Sequence, residues 1–226
     1  MEYTDEAEIK NSYDFLDCEQ GKNLFAILDF ALKDGVHIQE YGKQKDLFLY
    51  LRRYYHTLKT YYINFWGLEL EEGGSGAGLY YYLKFCPDAK NGIPANHKYM
   101  MSNENILIGL LLYKVYYIDH SIELDSLKKF QKMIRTDYPD LKAGIVKALA
   151  KAKGEKATLM NDAKIDTCIK NAFEEFNKIK WISIEENGIF EILPAFDRLT
   201  REFAHYINDI DAILNDNSNE KLSATS

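Results

Sequence analysis

The densest group of residues with chemical potential is a set of glycines. Gly73, Gly74, Gly76 and Gly78 fall within LELEEGGSGAGLYYYLKF, residues 68–85. A glycine-rich loop cradles phosphate when it follows a strand and opens a helix, because the helix N-terminus supplies unpaired amides and the positive end of the dipole. Here the glycines lead into LYYYLKF, a run of β-formers. The spacing from Gly74 to Gly78 is GxGxG rather than GxGxxG, and no GK[ST] occurs in the chain. These glycines are expected to turn the chain between two strands.

No other set of residues makes a constellation that carries chemistry. The five histidines, His37, His56, His97, His120 and His205, do not pair at ligand spacing, and there is no HExxH. His37, in GVHI, reads as a turn or strand residue. Cys18, Cys86 and Cys168 are odd in number and far apart, with no CxxC, and read as buried free thiols. The acid pairs Glu71-Glu72, Glu174-Glu175 and Glu185-Glu186 read as solvated charge. With no GxSxG elbow either, the expectation is a protein that is not an enzyme and needs no cofactor or metal.

Charge is distributed unevenly. Residues 128–156 hold nine Lys/Arg against three acids, a local +6 in a chain of net charge −7, so the remainder carries −13. Lys142, Lys147, Lys151, Lys153 and Lys156 are the candidate phosphate-contacting residues. A solvated helix face that balances charge accounts for them equally well.

The elements that must position these residues follow from periodicity. Leu24, Ile27, Leu28 and Ala31 share one face of a helix over 23–33, which Asp34-Gly35 ends. VHI, 36–38, is a short extended piece. Residues 45–65 read as one long helix with Leu47, Leu51, Tyr54, Leu58, Tyr61 and Phe65 along its stripe. LELEE and LYYYL then form a hairpin. Helix, short strand, helix and hairpin is the order of a winged-helix domain. After the loop 86–103, Ser102 or Asn103 caps an almost wholly apolar helix over 104–118, expected to be central. The order then repeats. IEL, 122–124, is a strand candidate and Asp125 caps the next helix. Further helices follow, one with Pro139 near its start and one over 162–179. WISIEENGIFEIL, 181–193, is a second hairpin at Asn187-Gly188. A final helix over 194–214 carries Phe196, Leu199, Phe203 and Ile207 on one face.

The predicted fold class is therefore α+β, mainly helical, with tandem winged-helix domains at 1–90 and 104–214, a linker at 91–103 and a disordered polar tail at 215–226. The 226 residues, 46% hydrophobic, suffice for a core in each half. The acidic N-terminus has no signal-peptide character, and the longest apolar run, ILIGLLLY, is far short of the ~20 residues of a membrane span. A cytoplasmic location is expected.

LKDGVHI (32–38), the Leu/Tyr-rich 47–70, LYYYL (79–83) and NENILIGLLLY (103–113) together resemble the MukE/MksE family of bacterial condensin subunits. These are kite proteins, tandem winged-helix partners of a kleisin. Val36 stands where the MukE form has arginine, which places the resemblance nearer MksE or the related subunit of Wadjet-type plasmid-defence complexes. The resemblance implies a non-catalytic subunit of an SMC–kleisin complex in chromosome organisation or plasmid defence. It implies a homodimer that binds a kleisin (MukF/MksF-like), works with an SMC-like ATPase (MukB/MksB-like), and contacts DNA at the nucleoid without sequence preference. Tyr50, Tyr55 and Tyr62, taken as exposed on the long helix, are candidates for a protein interface, with packing against the wing as the alternative. A free-standing winged-helix transcription regulator is the other functional class, and an enzyme of unrecognised type a third.

Overall fold

The computed structural model describes residues 13–85, 93–94, 98–121, 123–210, 212 and 214. It is mainly helical with two small antiparallel sheets. The chain divides into two compact units, Met1–Met100 and Met101–Ser226. The tail at 215–226 and much of the loop 86–97 lie outside the described residues.

The first unit opens with a single turn, α1 (Asp14–Asp17), and α2 (Glu19–Lys33). Cys18 is the N-cap of α2, its Sγ accepting the Gly21 amide at 3.1 Å. The helix ends as its sequence predicts, with Gly35 at φ 82°. Its buried stripe is displaced from the expected one. Leu28 and Leu32 are fully buried, whereas Ile27 is 58% exposed. The displacement follows Phe25, whose ring meets Phe15 and Tyr61 at centroid distances of 5.4 and 5.6 Å.

The expected single helix over 45–65 is three pieces. α3 (Lys45–Arg53) ends at Tyr54, which leaves helical geometry at φ −108°, ψ 21°. α4 (Tyr55–Tyr61) runs into a π turn, Tyr62–Trp66, closed by left-handed Gly67. Each interruption shifts the helical phase, because a π turn carries an extra residue per turn. The predicted stripe therefore fails at its end. Phe65 is 61% exposed and Tyr62 is fully buried in its place.

Short strand β1 (Ile38–Gln39) and hairpin β2 (Glu69–Gly73) and β3 (Tyr80–Lys84) make a sheet of order β1-β3-β2. The register pairs Leu70 with Leu83 and Ile38 with Tyr81. Alternation puts Leu70, Tyr81 and Leu83 in the core with Phe48, Leu51 and Leu58. The glycine cluster is the hairpin turn. Gly74 has φ +68°, and a Cβ there would run into the Gly78 carbonyl.

The second unit opens with α5 (Asn103–Tyr113), where Ser102 Oγ accepts the Asn105 amide at 3.3 Å. A π turn, Lys114–Ile118, follows. Of the short strand expected at 122–124, Ile122 lies outside the described residues and Glu123–Leu124 form no strand; a single bridge joins Ser126 to Ile189. The N-cap of α6 (Leu127–Thr136) is Ser126, while Asp125 pairs with Lys129 at 2.7 Å. α7 (Pro139–Lys153) has Pro139 at its start and left-handed Gly154 at its end. α8 (Asp162–Lys178) leads into hairpin β4 (Ile182–Ile184) and β5 (Phe190–Ile192), turned at Gly188. The last helix, α9 (Asp197–Asn208), breaks at Phe203.

The core of this unit is aromatic. Phe173 meets Phe130, Phe176 and Phe190, and Trp181 packs between Phe176 and Phe196. α5 packs on α7, α8 and α9. Gly109 brings it close to Leu199 and Phe176. No helix among the described residues is long and apolar enough to cross a membrane.

Candidate functional site

The five candidate lysines divide into two groups. Lys142 and Lys153 are eleven residues apart on α7, which returns a helix to within roughly 20° of the same face. Both sit beside acids near the start of α8. Lys142 pairs with Asp162 at 3.0 Å, and Lys153 faces Glu155 at 3.7 Å. Glu155 is also held by Lys164 at 2.9 Å, and hydrogen bonding to that ammonium keeps its carboxyl below the usual range. These two lysines are partly neutralised within the unit.

Lys147 and Lys151 occupy a different flank. Four residues apart, they lie one above the other on the helix. Neither makes an ion pair among the described residues, and the same holds for Lys156 beyond the helix. The opposite side of α7 is buried through Ile145 and Leu149. Lys128 and Lys132, exposed and four apart on α6, form a similar column. The hairpins, by contrast, are acidic. β2 carries Glu69, Glu71 and Glu72, and the second hairpin exposes Glu185, Glu186 and Glu191. Positive charge thus gathers on the helix flanks and negative charge on these strands.

The tyrosine expectation is corrected. Tyr50 is 1% and Tyr62 0% exposed, so neither presents a surface. The Tyr50 hydroxyl donates to the Phe15 carbonyl at 2.6 Å, and that of Tyr62 donates to Asp29 Oδ1 at 3.1 Å. Burial drives both phenols well above their ordinary range. Tyr55 is half-buried, its ring 5.1 Å from Tyr81, and burial pushes its hydroxyl up to about 12. Tyr50 and Tyr62 suit the interior because each of their hydroxyls finds an acceptor while the ring fills the core. Among the large apolar groups left exposed on this unit are Ile27, Phe30, Leu49, Ile63, Phe65 and Met100, with Phe30 71% exposed. For Ile27 and Phe30 the signal in the sequence is that α2 is apolar on more than one face.

The remaining candidates are dispersed. His37 is fully buried, stacked on Tyr82 at 5.4 Å, while His56, His120 and His205 are exposed. His97 and Cys86 lie outside the described residues. Cys168 is buried, and desolvation raises its thiol. Cys18 is only half-buried, and a hydrogen bond from the Tyr54 hydroxyl lowers its thiol. No group of three or more His, Cys, Asp or Glu among the described residues could hold a metal ion.

The described residues thus form two helical units with small sheets, acidic hairpins and lysine columns on helix flanks. The model of the condensin complex protein MksE matches residues 23–204, and the chain belongs to that family. Among curated proteins, none matches the chain.

Proposed function

We propose that the chain is a non-catalytic kite subunit of an SMC–kleisin complex, built of tandem winged-helix domains. In this reading it dimerises, binds a kleisin and contacts DNA, at the nucleoid in the cytoplasm, in chromosome organisation or plasmid defence. Membership of the MksE family carries the reading. The architecture supports it through a repeat in strand pairing. In the first unit β1 pairs with the second strand of the hairpin. In the second, Ser126 bridges Ile189 at the head of β5, with Leu127 donating to the Gly188 carbonyl at 3.1 Å. Each unit thus sets a short extended piece beside its second hairpin strand, the pairing order of a winged helix.

The exposed Ile27, Phe30, Ile63 and Phe65 supply apolar area suited to a protein interface, in place of the tyrosines. Lys147 and Lys151 supply positive charge not consumed inside the unit, suited to phosphates of any sequence. The test is co-purification. The tagged chain, expressed with the kleisin and the SMC-like ATPase of its own genome, is expected to recover both in a complex. Recovery of the chain alone from cells containing all three would refute the assignment.

A further inference from the structure

An apolar groove of about 450 Å³ opens in the second unit between α5, α7 and α9. Its half-exposed walls include Ile106 and Leu107 of α5 and Phe203 of α9, over a buried floor of Leu110, Ile210 and Leu214. The floor depends on Gly144. A side chain there would strike the Leu214 carbonyl, so glycine lets the end of α7's first two turns meet the backbone at Leu214. The groove accounts for the composition of α5, which is apolar on all sides. Ile108, Leu111 and Leu112 are buried within the unit, but Ile106 and Leu107 are only half covered. One side of that helix is apolar without being filled by the described residues of this unit. At the rim stands Lys151, exposed and without an ion pair among the described residues.

Apolar walls beside one uncompensated cation define what fits. We propose that this groove is the docking site of an amphipathic segment that places apolar side chains on Ile106, Leu107 and Phe203 and a carboxylate on Lys151. Resting on the function proposed above, the segment belongs to the kleisin. A helix lying in an apolar groove gains affinity from side chains spaced three and four apart, and the rim charge fixes its register. Lys151 is the point where this surface meets the DNA-facing flank of α7, so the carboxylate of the bound segment competes with phosphate for the same ammonium.

The experiment measures binding of the labelled full-length kleisin to the full chain and to three variants. Ala152→Phe fills the groove from its α7 wall, Lys151→Glu inverts the rim charge, and Lys147→Glu changes the neighbouring turn outside the lining. Ala152→Phe and Lys151→Glu are each expected to weaken kleisin binding about tenfold or more, and Lys147→Glu less than threefold. Kleisin binding to the parent chain that neither groove variant weakens overturns the groove while leaving the proposed function standing. Failure of the parent chain itself to bind kleisin overturns both. Sedimentation of the same proteins without kleisin decides the remaining occupant. If the groove variants dissociate a homodimer, a second copy fills the groove and the kleisin assignment is wrong. Should Ala152→Phe fail to fold by thermal melting, Lys151→Glu, on an exposed side chain, decides alone.

Discussion

At the scale of single residues, the first unit is held by tyrosines whose hydroxyls are spent inside the core. Tyr50 donates to the Phe15 carbonyl in α1, tying that turn to α3. Tyr50→Phe keeps the ring and leaves a buried carbonyl unpaired, a change expected to cost about 1–3 kcal/mol in urea unfolding. The same residues make the unit alkali-sensitive. Tyr55 is pushed by burial from an ordinary 10.0 up to about 12, and burial also raises Tyr50, Tyr62 and Tyr81. A group whose pKa is higher in the folded state contributes full stability below its unfolded value. That contribution declines as pH rises from there through the folded value. Thermal melts are therefore expected to be level from pH 8 to 9 and to fall steeply between about 10 and 12. Absorbance of tyrosinate should lag behind free tyrosine until unfolding. A melting temperature unchanged at pH 11 would remove tyrosine burial as a stabilising feature. Lys114 is a contrasting case, a buried ammonium at the π turn paired with Asp119 at 3.1 Å. Because Asp119 remains partly exposed, Lys114→Met is expected to cost no more than about 2 kcal/mol.

At the scale of elements, the glycines of the first hairpin act through backbone geometry. Gly74 is left-handed and lies against the Gly78 carbonyl, so Gly74→Ala meets both a strained φ and a backbone clash. It is expected to destabilise by about 1–3 kcal/mol and to raise amide exchange in β2 and β3 first. Gly76→Ala is the informative partner. Gly76 shares the positive φ, at +57°, but a Cβ there meets nothing within 4 Å, so only the strain remains and the cost is smaller. Equal losses at the two positions would mean that the close approach at Gly78 contributes nothing. The helices show the same dependence on local breaks. At α9 and the turn before it, Phe196 and Leu199 are buried as the periodicity predicts, but the break at Phe203 leaves that residue half-exposed in the groove.

At the scale of the whole molecule, the question is which charges remain for a polyanion. The chain is acidic overall, yet Lys147 and Lys151 are not consumed within their unit, while Lys142 and Lys153 face Asp162 and Glu155. In the chain without kleisin, Lys147→Glu with Lys151→Glu is expected to reduce DNA affinity at least tenfold at low salt. It is also expected to lower the slope of log K against log salt by about two. Lys142→Glu with Lys153→Glu should reduce affinity less, because those charges are already offset. Electrophoretic mobility shifts over a salt series distinguish the pairs. If the second pair matters more than the first, the division of the lysines drawn from their ion pairs is wrong.

Much of this was legible in the sequence, for definite reasons. Helix ends and hairpin turns are local events. Gly35, Ser102, Pro139 and Asn187-Gly188 mark them through φ preferences and capping bonds that involve only neighbouring residues. The family was legible as well, since it is carried by residue types in order along the chain. What tertiary structure decided was direction and partnership. Two phase shifts, at Tyr54 and at the π turn Tyr62–Trp66, carried Tyr62 inward and Phe65 outward, which a continuous 3.6-residue period cannot anticipate. Likewise five lysines close in sequence became two sets. Ion pairing with Asp162 depends on how α8 folds back beside α7, a distance that exists only in three dimensions.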